Sequence, residues 1–326
     1  MKQMTDDIST TEKLYSKLHV ILTDRFPQFI EATNARRLDV RSHLRLTIIS
    51  GLFVLAIAIF LYLTRVDLNT LFGKIIAMTF LLWAAVLAMS AKSWFIGASL
   101  LAKEINMALV PVLSDVFNRT LLYTYNENEV EAVSHLLKDS QLLVDEVMNL
   151  EVKSKYTVFS DSDMRVHEIN FDQKTDSPVG KRDKAHATFI DVNLPEEHTA
   201  ATALTTAGTN FGFSQTVLVQ HLLNNKAFES VDTDENHIKA FSTEPAVGTT
   251  FLNSSLLQAM KEWSQDAKVN IRVMRKESKL YILVPASDER TTFTSTSTKP
   301  EAIEHYAQVI AQPIWRAVQL SQEVRT

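Results

Sequence analysis

Cysteine is absent from this 326-residue chain. That removes disulfide frameworks, thiol nucleophiles, iron–sulfur clusters and cysteine-ligated zinc together. Glycine is scarce, with seven in the whole chain, so phosphate-cradling loops have little to be built from. The stretch Gly180-Lys181-Arg182 lacks the upstream glycine of a phosphate loop and reads as a solvated basic tip. Positive charge is not in excess: the formal net charge is −5 and the pI about 6.0, so no broad basic field for nucleic acid is expected. The HEXXH and GxSxG signatures are missing as well. The chain therefore leans away from an enzyme, and no cofactor is expected.

Two long uncharged apolar runs are what the sequence does have. LTIISGLFVLAIAIFLYL covers residues 46–63 and IIAMTFLLWAAVLAMSA covers 75–91. Each is close to the roughly 20 residues that cross a bilayer's hydrocarbon layer. Apolar residues occur all round the helix, without the polar stripe of a soluble core helix. The helices are expected to run past the apolar limits, with Trp94 at an interface and lysine and arginine stems snorkelling. Arg36, Arg37, Arg41 and Arg45 crowd the first run, and Lys92 and Lys103 follow the second. The link between them holds Arg65, Asp67 and Lys74. The basic bias predicts a two-pass protein with both termini cytoplasmic. A signal peptide is a poor reading, since 45 polar and charged residues precede the first run. The expected membrane-interface residues are Arg36, Arg37, Arg41, Arg45, Lys92 and Trp94. They would set topology or hold anionic headgroups.

The rest of the chain reads as water-soluble, and the class expected is α+β. The divisions expected are an N-terminal helical segment (1–45), the hairpin (46–91), an amphipathic helix (92–119) and a cytoplasmic domain (120–326). Helical spacing begins near Thr11, with Ser9 or Thr10 as a cap and Pro27 as an interruption or kink. Residues 95–117 are amphipathic around Pro111 and could pack on the N-terminal helix as a stalk. Further on, LLYTY at 121–125 suggests a short strand and 129–138 a helix. KYTVFS (155–160), RVHEINF (165–171) and AHATFIDV (185–192) alternate as strands, and strands are also predicted over 216–221 and 237–242. A helix is predicted over 251–263, a β-hairpin over 269–284, and a final helix from Pro300 with Pro313 inside it. The segments 199–213 and 291–298 specify no element.

Candidate chemistry is weak. His198 follows Glu196 and Glu197, with His186 and Asp191 nearby, but the spacing suits no single metal-binding face. Asp232, Asp234 and Asn236 copy the start of a calcium loop, yet His237 replaces the required glycine and Thr243 the final glutamate. An acidic turn before a strand is the simpler reading. His167 and Glu168 should point to opposite faces of one strand. Trp263 and Trp315 fall on apolar helical faces and read as core.

The order of parts resembles a bacterial membrane-protein family catalogued as domain-of-unknown-function family 3137. The segments that carry the resemblance are SQLLVDEVMNLEVKSKYTVF (140–159), AHATFIDVNL (185–194), NKAFESVDTDENHIKAFSTEPAVGTTFLNSSL (225–256) and VNIRVMRKESKLYILVP (269–285). The chain departs from that family in having few glycines. The resemblance implies a two-span hairpin ahead of a cytoplasmic α+β domain, no catalytic residues, and a LemA-type membrane protein as partner. Three functions are open. The first is a membrane-anchored binding or scaffold module. The second is a membrane-bound enzyme or ligand sensor with a pocket near His186, His198 or His237. The third is a secreted effector that inserts into a foreign membrane. Transport would require a homo-oligomer, because the spans carry no charge.

Overall fold

A computed structural model describes residues 10–65, 69–125, 129–143, 148–159, 163–174, 182–207, 215–225, 227–233, 235–285 and 299–324. The N-terminal tip, Asp67, Gly180, Lys181, Asp234 and the 291–298 stretch lie outside them. Two compact units are present. One is helical and comprises Val20–Val112 with Phe293–Glu304; the other comprises Met1–His19, Leu113–Thr292 and His305–Thr326 and holds the sheet.

Helices α1 (Thr11–Thr64) and α2 (Leu71–Phe117) dominate the first unit. The Thr10 hydroxyl caps α1 by accepting from Lys13 N–H at 3.3 Å. At 54 residues, α1 is about 80 Å long at 1.5 Å per residue. It runs unbroken through Pro27. Pro27 is exposed, so water can hydrate the carbonyl that loses its donor there. Phe29 and Leu22, both buried, hold the helix on either side. Pro111 is likewise an exposed interior residue of α2.

Within this unit the two helices pack antiparallel in a register fixed by five contacts. Thr47 Oγ1 donates to Ser90 Oγ at 3.1 Å, and the Phe53 and Trp83 rings stack at 4.6 Å. Gly51 faces Leu87. At Gly97 a methyl would lie 3.1 Å from a Val40 methyl, so the missing side chain permits close approach. Farther along, Arg36 Nε donates to Glu104 Oε1 at 3.0 Å.

A nine-stranded antiparallel sheet forms the other unit, in the order β1-β2-β3-β4-β9-β8-β5-β7-β6. Its strands are β1 (Thr120–Thr124), β2 (Met148–Phe159), β3 (Met164–Lys174), β4 (Arg182–Asn193), β5 (Thr202–Thr206), β6 (Glu229–Val231), β7 (Ile238–Ser242), β8 (Arg272–Lys276) and β9 (Lys279–Pro285). One cross-strand row runs through all nine: Tyr123, Tyr156, Val166, Ile190, Ile282, Val273, Leu204, Ala240 and Val231. Tyr156 on this row lies close enough to Tyr306 of α7 (Pro300–Glu323) to feel its charge. Burial first, then Tyr306, Glu168 and Tyr123, push the Tyr156 phenol well above its ordinary range. The opposite face carries Ile169, Phe171, Phe189, Met274, Tyr281 and Leu283. These cluster with Val133 and Leu137 of α3 (Val130–Ser140) and Leu218 and Leu222 of α4 (Gln215–Asn224). Period-two alternation thus serves two buried faces, which is why the strands are apolar on both sides.

Two expectations need correction. Residues 216–221 are helix α4, not a strand. Thr216, Val217 and Val219 favour a strand locally, but Leu218 and Leu222 fall four apart and are both fully buried, so a helical stripe wins. The helix expected over 251–263 is two elements, α5 (Pro245–Phe251) and α6 (Ser254–Ala267). Asn253 separates them and caps α6, its Oδ1 accepting from Leu256 N–H at 2.6 Å. The segment with no expected element contains β5, a fully buried strand of small residues. Its threonines are satisfied internally, as where Thr205 Oγ1 donates to Asn270 Oδ1 at 3.0 Å.

Candidate functional site

The first site is a surface. Each long helix carries an 18-residue apolar window, of mean hydropathy 2.6 in α1 and 2.1 in α2, and only 6% of each window is buried. Among the described residues, large apolar side chains exposed from Leu46 to Ile96 outnumber those exposed everywhere else. A soluble core helix would bury such a stripe. These helices bury almost none of it, as expected of spans facing lipid.

The basic residues beside the windows divide into two groups. Arg36 is committed to Glu104 and lies 3.7 Å from Asp39. Arg37 is buried at 1% exposure, its Nε donating to Thr33 Oγ1 at 2.9 Å and its guanidinium lying over the Phe29 ring. Burial first, then the Arg41 charge, lowers its pKa. Arg45 and Lys92 are exposed, Arg41 is half-exposed and Trp94 is half-buried.

The second site is a buried polar cluster in the sheet. Strand register places Arg165 opposite Asp191 and His167 opposite Phe189. Arg165 donates twice to Asp191 Oδ1, from Nε at 2.8 Å and from Nη2. His167 Nε2 lies 3.0 Å from Asp191 Oδ2. Both His167 and Asp191 are essentially inaccessible, and the other ring nitrogen, Nδ1, has no partner among the described residues. His167 also stacks on Phe189 at 6.1 Å, and Phe189 on Tyr281 at 6.1 Å. Tyr281 then donates to Asp139 Oδ2 at 2.6 Å, and Lys276 bridges the same carboxylate. Burial works to raise the Asp139 pKa, but the Lys276 and Tyr281 hydrogen bonds outweigh it and hold the group below its ordinary value. Burial followed by the Asp139 bond pushes the Tyr281 phenol far above its usual range. Lys155, across from His167, pairs with Glu129 at 2.7 Å.

The residues singled out by sequence do not converge. His186 Nδ1 contacts Asn170 Oδ1 at 2.6 Å. His198 lies against Phe251, 6.0 Å between rings, and its N–H donates to Glu277 at 3.1 Å in the β8–β9 turn. Burial, then Arg275, lowers the His198 pKa. His237 is exposed at the turn before β7. Glu168 bonds Ser154 on the face opposite His167. No three histidine or carboxylate groups gather as a metal site among the described residues. Trp263 is fully buried and Trp315 nearly so. An open groove of about 390 Å³ lies where β2 is bulged against β3, lined by Asn149, Glu151, Asn170, Asp172 and, from β4, Lys184 among others.

The sheet edge supplies the third feature. Among the described residues β1 pairs with β2 alone. Leu122 and Phe159 are exposed on one face there, at 49% and 45%. The Leu121 N–H is already taken by Ser114 Oγ at 3.2 Å.

No family model matches the chain, and no curated protein matches it. Among solved structures it is similar to the mycobacterial trehalose monomycolate transport factor A, TtfA, at 10% identity. That likeness covers 60% of this chain and 91% of the other with a TM-score of 0.30, which carries no argument about fold or function.

Proposed function

We propose that this protein is a membrane-anchored binding or scaffold module. The helical hairpin crosses a bacterial inner membrane twice, both termini stay cytoplasmic, and the sheet unit docks a partner membrane protein. The observation that supports this most is the pair of apolar windows that the fold leaves uncovered. The basic bias of 36–45 and 92–103 supports the orientation. The resemblance to domain-of-unknown-function family 3137 favours a LemA-type partner. The β1 edge, with Leu122 and Phe159 exposed beside it, is suited to an extended segment of that partner, since edge strands recruit strands.

The test is retention by full-length protein solubilised in detergent, read by mass spectrometry. A membrane protein held by the wild type and released by Leu122→Lys is the expected result. Equal retention by both removes the β1 edge from the account. A second reading, a small-ligand sensor, draws on the polar groove at Glu151, Asp172 and Lys184. A thermal-shift response to polar metabolites, lost in Lys184→Ala, would favour it instead.

A further inference from the structure

We propose that the groove beside the β2 bulge binds a free α-amino acid, its ammonium on Asp172 and its carboxylate on Lys184. The proposal rests on the second reading above, the groove as a ligand site, and adds the ligand's chemical class. Strand register sets Asp172 of β3 opposite Lys184 of β4, and both line the groove with Asn149 and Glu151. The register of β2 against β3 shifts between Met148 and Glu151, and Asn149 is left-handed there, at φ 51°. At this bulge the Asn149 side chain turns onto Asp172, Nδ2 donating to Oδ2 at 2.7 Å.

The polar groups divide into committed and open ones. Glu151 is committed, bridged by Lys153 at 2.7 Å and hydrogen-bonded by Asn170. Asn170 is committed in turn, its Oδ1 facing His186 Nδ1 at 2.6 Å. Asp172 is half used: its Oδ1 accepts no hydrogen bond among the described residues, nor does Asn149 Oδ1. Lys184 is exposed and forms no ion pair among the described residues, reaching Glu151 only as a through-space charge. One carboxylate and one ammonium on facing strand positions are thus left open without pairing with each other. A lone amine would meet Lys184 as a like charge, and a lone acid would meet Asp172 as one. A zwitterion satisfies both, with its ammonium also in reach of Asn149 Oδ1. The volume of about 390 Å³ lies in the range of small-molecule pockets, and Leu150 and Phe171 line it with apolar surface for a side chain.

The experiment screens full-length protein in detergent for thermal shift against a panel of L-amino acids. The strongest is then titrated by calorimetry beside its methyl ester and its N-acetyl derivative. Each blocked form should bind wild type at least about tenfold more weakly, the scale of one charge-assisted hydrogen bond. Lys184→Gln should abolish the difference between the amino acid and its ester. Asp172→Asn should abolish the difference between the amino acid and its N-acetyl form. The blocked forms on wild type decide the class even where a variant fails to fold. Equal binding of either blocked form overturns it. A response confined to other polar metabolites, lost in Lys184→Ala, also overturns it and leaves the groove as a ligand site. No response to any small ligand overturns the groove reading as well.

Discussion

Replacing Asp191 by alanine tests whether the buried cluster under α3 is structural. The carboxylate is 1% exposed and accepts from Arg165 while contacting His167 Nε2 at 3.0 Å. Breaking a buried ion pair from one side costs about 3–5 kcal/mol. Arg165 is one-third exposed and can turn its charge to water, which lowers that figure. His167 cannot: with Nδ1 already unpartnered, both ring nitrogens would be buried without a bond, at about 1–3 kcal/mol for the new orphan. A net loss of about 3 kcal/mol follows. For a unit of this size it corresponds to a fall of roughly 6–12 °C in Tm. Thermal unfolding of the full-length protein in detergent, followed by near-ultraviolet circular dichroism, reads it. In a His167→Phe background the ring still stacks on Phe189 but no nitrogen is stranded, so the Asp191→Ala penalty should shrink by at least ~1 kcal/mol. A Tm within about 1 °C of wild type in the single variant would refute the reasoning, because a buried charge pair of this geometry is not lost silently.

Other substitutions probe the fold at separate points. Gly248→Ala puts a methyl carbon 2.5 Å from Ser242 Cβ, a fully buried neighbour. A loss of about 1–3 kcal/mol in urea unfolding is expected. Asn253→Ala removes the α6 cap and the bond to the Glu323 carbonyl, for about 1 kcal/mol or somewhat more in the same assay. His198 has its folded pKa depressed below the ordinary 6.5. The unfolded chain therefore binds the proton more readily, and this contribution is complete above pH 6.5 and lost as pH falls below it. The urea midpoint of the wild type should drop through that window, and His198→Gln should flatten the drop.

Elements whose neighbours in space are neighbours in sequence were readable from residue pattern alone. The apolar runs, the strands β2–β4, the β8–β9 hairpin and the Pro300 helix all declare themselves by period. Two long-range effects did not. Helix α4 carries strand-forming valines, and the burial of Leu218 and Leu222 that decides its fate depends on a sheet face built elsewhere. Asp191 lies near His186 and His198 along the chain, and although the spacing speaks against a shared metal face, it names no other companion. Its true companions, Arg165 and His167, come from the facing strand. The signal was present: folding the chain symmetrically about the connection between β3 and β4 sets Arg165 opposite Asp191. Arg37 shows the same limit, since a count of basic residues cannot tell a buried arginine from an exposed one.

The most direct test of the central claim exploits the absence of cysteine. Single cysteines placed at Asn69, between the two apolar helices, and at Lys299, ahead of α7, can be labelled with a membrane-impermeant maleimide in intact cells. A two-pass anchor with cytoplasmic ends predicts labelling of Asn69→Cys from outside and of Lys299→Cys only after permeabilisation. Labelling of both positions from the same side would contradict it.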